Sequence, residues 1–579
     1  MILQALTQYY EDLLARGEIA APGWAPAKIS YALCLDEDGQ LTQVVPTMEE
    51  VPKGKKTVLQ PLVFQLPAAE KRTVGVVSNF LWDNSSYLLG VDQKGKPARS
   101  RECFSAAAAR HHAVLDGVDS PAARAILRFF DSWQPENAAQ CPALEGQLEE
   151  VISGGNLLFR VDGRYAQEDA AIREAWQRRQ SDRDKDAVEM QCLVTGREDE
   201  IAKVHPAIKG VRDAQSSGAA LVSFNAPAFC SYGHEQNFNA PVGKYAAFAY
   251  TAALNHLLAD KNQVQQIGDT TVVCWAESAD PVCQSLAVAA IFGGAPPSGL
   301  TDNALRTTLR RLAHGEPCDE LALDPGRTFY ILGLAPNAAR LSVRFFLRDS
   351  FGALMRNVNA HYERLEIVGG RYEMLPLWAL LRETVNLNSR DKMPSPAMAG
   401  ATARAVFSGG RYPASLLEGV MLRIRAERNI TWGRAAILKA YYLKNPHKDC
   451  PKEVLTVCLN EESTNPAYTL GRLFRVMEEI QLASTGWNVN RSIKDSYFNS
   501  AASTPLSVFG KLFALSNYHL KKLMRDKPGL GKKLGDLESE LAAQLTSPPP
   551  ARSTQEEVVC FYLGYYHQCN HKKEEEKNV

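Results

Sequence analysis

Past Leu375 the chain stops alternating apolar and polar residues and repeats them instead at helical spacing almost to its end. Segments 377–385, 397–407, 413–430, 432–443, 470–482, 492–501, 505–524 and 534–545 carry that spacing, and Ser547-Pro548-Pro549-Pro550 sets off a last helix at 555–566. A tract that offers apolar stripes and no strands has to bury them helix on helix, so residues 376–579 read as an all-α bundle.

Residues 1–375 read differently. After an amphipathic first helix, 29–35 and 58–62 have strand patterning, 74–77 and 87–91 continue it around the polar loop 83–86, and helices are expected from 99 to 115 and from 121 to 133. Dense alternating charge from 168 to 186 suits a solvated helix face or connector, and 196–238 is rich in loop residues. A helix at 245–258 then precedes strands at 269–275, 328–334 and 341–346. The fold class is therefore α+β, a mixed α/β region at 1–375 followed by the bundle. A length of 579 residues supports more than one core.

Formal net charge is zero, so any polynucleotide-binding surface has to come from local charge. Between 401 and 535 there are about 21 lysines and arginines against about 10 acids. The 12 cysteines form no C-x-x-C pair, which suits reduced buried thiols and a cytoplasmic location. Neither a secretion signal nor a membrane span is expected: the start is amphipathic and no 18 apolar residues run together.

Motifs for catalysis are incomplete. GVDQKGK at 90–96 begins like a phosphate-binding loop, but Pro97 stands where a magnesium-binding hydroxyl is needed, and a hairpin tip is the better account. Glu198 and Glu200 in EDEIAK offer acids to a metal-dependent nuclease without an identifiable partner Asp. Cys560, His567, Cys569 and His571 are zinc-ligand types at a spacing that matches no closed site. No catalytic residue, metal or cofactor is assigned. The expectation is a protein that is not an enzyme, with a metal-dependent nuclease and a pure protein scaffold as the alternatives.

Three groups have the chemistry of polynucleotide contacts. Gln236, Asn237 and Asn239 in FNAPAFCSYGHEQNFNAPV (224–242) both donate and accept, as a base edge requires, and Phe238 has the shape of a stacking or wedging ring. The alternative for these amides is a turn that caps the next helix. Asn79, Phe80 and Asn84 in the loop 79–86, with Lys71 and Arg72 upstream, form a second group. The third is cationic: Arg340 and Arg344 along a strand, then Arg423, Arg425, Arg472, Arg475, Lys511, Lys521 and Lys522 in the bundle, where a shared face would track phosphates.

Several long strings carry a resemblance. SYGHEQNFNAPVGKYAAFAYTAALNHLL (231–258), GDTTVVCWAE (268–277), FYILGLAPNAARLSVR (329–344), LNEESTNPAYTLGRLF (459–474) and FYLGYYHQ (561–568) resemble the large subunit of type I-C Cascade, as does SNFLWDNSSYLLG at 78–90. The resemblance spans almost the whole chain. It implies a non-catalytic subunit whose N-terminal region docks at the 5′ end of the CRISPR RNA and inspects the PAM, while guide pairing reads the sequence of the target double-stranded DNA. It further implies help in opening the duplex, binding of the displaced non-target strand, contacts to backbone and guide-end subunits, and recruitment of a helicase-nuclease effector. A small subunit made from the same gene's C-terminal part is a further implied partner. Met477, Val454 and Val457 all remain candidate starts for it.

Overall fold

The computed structural model describes residues 1–53, 56–70, 75–93, 95–181, 187–260, 264–293, 301–314, 316, 323–370, 374–486 and 491–571. Two compact units emerge from the packing: Leu3–Pro206 with Phe224–Ala253, and Ala207–Ser223 with Leu254–Val579.

In the first unit, helix α1 (Ile2–Ala15) leads into strands β1 (Trp24–Ile29), β2 (Tyr31–Leu35), β3 (Leu41–Pro46), β4 (Met48–Lys53), β5 (Lys56–Pro67) and β6 (Trp82–Asp83). Helices α2 (Ser85–Leu88), α3 (Pro97–Leu115), α4 (Pro121–Ser132) and α5 (Leu148–Ser153) follow, then β7 (Leu157–Val161), β8 (Arg164–Tyr165), α6 (Ala170–Ser181), β9 (Glu189–Gln191) and β10 (Glu198–Glu200). Strands β3, β2, β7 and β6 lie in that order in one sheet with β8 paired to β7, while β1, β5 and β4 form another. Strand β7 is apolar throughout except Arg160 and pairs parallel to β2. Its Phe159 packs with Phe129, Phe130 and His111 from α3 and α4.

Helix α7 (Lys244–Ala259) runs through the division between the units. The second unit contains β11 (Gln265–Ile267), β12 (Thr270–Ala276), α8 (Pro281–Phe292), α9 (Asp302–Ala313), β13 (Thr328–Asn337) and β14 (Arg340–Ser350), an antiparallel sheet in the order β11-β12-β13-β14. Every residue of β12 is buried. Its β-branched run suits a strand covered on both faces: Val272 and Cys274 join the helical core, while Trp275 stacks on Tyr330 with centroids 5.2 Å apart.

Helices α10 (Phe351–Leu365), α11 (Leu377–Arg382), α12 (Pro396–Ser408), α13 (Ala414–Glu427), α14 (Trp432–Lys444), α15 (Pro466–Thr485), α16 (Ile493–Ser503), α17 (Pro505–Asp526), α18 (Pro528–Ala543) and α19 (Gln555–Asn570) complete the chain. The strands end at Ser350, ahead of the compositional break at 375/376, with α10 between the two, and one continuous core joins the sheet to the helices that follow it. Helices α15 and α19 cross at glycine: a Cβ on Gly471 would lie 2.1 Å from the Phe561 carbonyl oxygen, and one on Gly564 equally close to that of Tyr468. Backbones that near leave no room for a side chain.

Three local expectations are corrected, the first being the strand at 74–77, whose described residues 75–77 are not strand. Residues 85–88 form a helix and not the strand expected at 87–91, because the Asn84 side chain accepts the Ser86 N–H and starts a turn. The described residues 90–93, 95 and 96 lie between α2 and α3, not between two strands, so they form no hairpin tip. Gly90 turns there with φ +72°, and Pro97 opens the helix.

Candidate nucleic-acid interfaces

The loop before α7 is built by its own amides. Asn239 Oδ1 accepts the Ser231 N–H at 2.8 Å, and its Nδ2 donates to the carbonyls of His234 and Gln236 at 3.0 and 2.9 Å. Asn237 is buried and its Nδ2 donates to the Ala202 carbonyl at 3.3 Å. Both side chains therefore satisfy backbone groups that a loop leaves without partners. Phe238 is half-buried, which leaves Gln236 as the exposed member of the expected quartet, at φ +47°. The loop also projects Tyr232, 97% exposed at φ +52°, and exposed His234.

The second expected group is largely internal. Asn79 is buried, its side chain accepting the Glu70 N–H at 3.0 Å and its own N–H bound to Asp83 at 2.9 Å. Phe80 is 1% exposed and stacks on Trp176 with centroids 5.1 Å apart, so it offers no ring face to a base. Asn84 serves as the α2 cap. Between them Leu81 holds φ +69°, its N–H donating to His111 Nε2 at 2.9 Å. Burial holds the His111 pKa down at about 4, which keeps the ring neutral and able to accept that bond. Lys71 and Arg72 lie outside the described residues.

The cations of the second unit divide by direction. Arg472 is 2% exposed and donates to Gln568 at 3.1 Å; Arg475 pairs with Glu478 at 3.2 Å and Glu479 at 3.7 Å. Both point into the packing around α15 and not toward solvent, contrary to the expectation of one shared face. Arg423 is also largely covered and sits 3.7 Å from Glu427, while Arg344 pairs with Asp269 at 2.7 Å. Arg340 opens β14 beside the turn at Ala338, and Arg425 is exposed in the last turn of α13.

Lys511, Lys521 and Lys522 do share an outward face on α17. At 100° per residue, 511, 514, 518, 521, 522 and 525 fall within one arc, while Val508, Leu512, Ser516 and Leu523 turn into the core. Asp526 is the single acid between positions 505 and 535, against basic residues at 511, 521, 522, 525, 527, 532 and 533. Lys532 and Lys533 are exposed on the first turns of α18, which packs against α17. His519 is tethered at the margin, Nδ1 lying 2.9 Å from the Ser484 hydroxyl, and burial together with Lys522 lowers its pKa. Sequence reasoning missed Tyr518, Lys532 and Lys533. For Tyr518 the available signal was its phase with Lys511 and Lys522 on α17, and for Lys532 and Lys533 on α18 it was the cation-rich, acid-poor run between 505 and 535.

The acids considered for metal chemistry are partly committed. Glu200 pairs with Lys244, while Glu198 and Asp199 line a cavity of about 520 Å³ with Glu11 and Arg197. Cys560 donates to the Asp449 carbonyl, and the Tyr468 hydroxyl lies 2.8 Å from His567 Nδ1, so these zinc-ligand types serve separate packing contacts. Among the described residues no group of three or more His, Cys, Asp or Glu is arranged to hold a metal ion, and no helix is long and apolar enough to cross a membrane.

Comparison with known proteins agrees with the strings that carry the resemblance. No curated protein matches the chain. The sequence profile of the family described as CRISPR-associated protein (Cas_Csd1) matches residues 6–572, nearly the whole length, and the chain belongs to that CRISPR-associated family.

Proposed function

We propose that this chain is the non-catalytic large subunit of a type I-C CRISPR RNA-guided DNA surveillance complex. It recognises the PAM, aids duplex opening, stabilises the R-loop and helps recruit the helicase-nuclease effector. The observation that carries the reading is the α17–α18 surface, on which lysines and an arginine recur with almost no acid in a family of CRISPR-associated proteins. Such a surface attracts phosphates through counterion release and supplies affinity without sequence choice. It suits the displaced non-target strand, since the guide reads the sequence. On the first unit, the exposed tip from Tyr232 to Gln236 is the surface we assign to the PAM duplex, with Asn237 and Asn239 holding its shape.

The test is target binding by a guide-loaded complex that carries either the parent chain or Lys511, Lys521, Lys522 and Arg525 changed together to Gln. The slope of log affinity against log salt should flatten by about 0.7 for each lost single-strand phosphate contact. An unchanged slope, or equal target binding by complexes lacking the chain altogether, would refute the reading.

The proposed small subunit has a structural requirement. Helices α15 to α19 pack chiefly on one another, and Met477 is buried within α15. A start there would remove Tyr468, Gly471 and Phe474, which pack against α19. Starts at Val454 or Val457 keep α15 whole. The intact mass of a small subunit purified with the complex decides between them, and a product that begins at 477 would defeat this assignment.

A further inference from the structure

Tyr518 is unusual in its surroundings. A tyrosine ring normally contributes to burial and interface energetics, yet this one is 70% exposed in the middle of a well-formed helix. Its one ring contact among the described residues is to His519, centroids 5.4 Å apart at 80°, an edge-on geometry that does not cover the ring by stacking. Elsewhere cations do cover nearby rings: exposed Lys511 lies 5.4 Å over Tyr497 and half-buried Lys494 lies 5.0 Å over Tyr565. Among the described residues no cation is placed over Tyr518 in that way, although Lys521, Lys522 and Arg525 stand within two turns of it. The row from Lys511 to Arg525 is about 21 Å long at 1.5 Å per residue.

A duplex presents phosphates outward and keeps its base faces stacked, so it has no use for an exposed ring on a helix surface. An unpaired strand presents both a charged backbone and free base faces, and cations flanking one aromatic ring match those two features together. A protein partner would require acids opposite seven cations and would bury the ring at its centre. No such acidic segment is needed when the ligand is the strand itself.

We propose that Tyr518 is a base-stacking residue, and that the outward face of α17 therefore binds unpaired DNA and discriminates it from duplex. The inference rests on the reading of this face as the path of the displaced strand. It adds what that reading lacks, a contact to bases and a preference for single strands.

The experiment uses the full chain and fluorescent oligodeoxynucleotides: a mixed-sequence single strand, the same strand with abasic sites, the matching duplex, and an RNA of the same sequence. Tyr518→Ala should weaken binding of the base-bearing DNA strand by about 5- to 150-fold, the range expected for one stacked base. It should leave abasic strand and duplex unchanged and should not alter the salt slope. Tyr518→Trp should restore affinity, which a structural role for the hydroxyl would not allow. Equal weakening of base-bearing and abasic strands, no weakening of either, or tighter binding of the RNA than the DNA would each overturn the proposal. The combined Lys511, Lys521, Lys522 and Arg525 change to Gln separates the two failures. If it weakens strand binding while Tyr518→Ala does not, stacking alone is wrong. If neither variant weakens it, the strand path is wrong as well.

Discussion

The loop at 231–239 and the α17 face began with equal claims on polynucleotide, and their side chains turned in opposite directions. In the loop, Asn237 and Asn239 are taken up by carbonyls and an N–H of the chain itself. On the helix, Lys511, Lys521 and Lys522 are exposed, Lys511 with its ammonium over the Tyr497 ring. The difference follows from the backbone. A helix satisfies its interior N–H and C=O groups internally and leaves its side chains free, whereas a loop leaves backbone groups that only nearby polar side chains can satisfy. Amides concentrated in a loop are therefore first of all candidates for building it.

The sharpest way to break the comparison is at a helix cation that points inward. Arg475→Ala leaves Glu478, whose side chain is 8% exposed, with the Tyr565 hydroxyl at 2.7 Å but without its guanidinium. Breaking a buried pair from one side costs about 3–5 kcal/mol. A large drop in denaturation midpoint, with the salt slope of strand binding unchanged, is expected. If strand affinity falls at unchanged stability, Arg475 belongs to the outward surface after all.

Next in size is an acid-dependent loss in the first unit, where again a loop N–H recruits a side chain. His111 is neutral because burial depresses its pKa to about 4 from an ordinary 6.5. Between those values the unfolded chain binds more protons than the folded one, so stability falls as pH falls through that window, by about 3 kcal/mol for this group. Denaturation at pH 7, 5.5 and 4.5 should show a shallower pH dependence in His111→Gln than in the parent. A parallel pair of curves would mean that His111 titrates alike in the folded and unfolded chain, and that burial does not hold the ring neutral.

Smaller still is Asn239→Ala, which removes one acceptor and two donated bonds from the loop before α7 and should cost about 1–3 kcal/mol. Hydrogen exchange at the Ser231 amide should accelerate, and PAM discrimination should weaken through the displaced tip. If discrimination collapses while Ser231 stays protected, Asn239 touches DNA directly.

Much of this was legible in the sequence; helices α9 and α10 carry apolar stripes that were equally readable and went unread, while the other misses depend on packing. The helical tract past 375 was visible because helical spacing needs only the helix itself, and Ser492 with Asp495 closes a capping box where 492 was read as a start. Helix α8 escaped because its apolar residues surround it, so that no polar stripe marks a period. Residues 87–91 have strand composition, but the Asn84 cap starts a helix over 85–88 that takes in the first two of them. The orientation of Arg472 was not readable either, since it depends on Gln568 from α19, far away in sequence. Periodicity places a residue on a face, but which face meets another element is decided by tertiary packing.

The smallest effect is the most discriminating between the two regions. Lys521 is exposed on a helix that already satisfies its backbone, and Ala is a good helix former there. Lys521→Ala should change stability by no more than about 0.5 kcal/mol, the usual range for such surface sites. Its consequence belongs in the salt dependence of single-strand binding, where one lost phosphate contact lowers the slope by about 0.7. The analogous truncation in the loop, Asn239→Ala, is expected to act through stability and shape. A Lys521→Ala variant that unfolds more easily without changing the slope would reverse the roles assigned to helix and loop, because a free side chain on a self-satisfied backbone has only its ligand to lose.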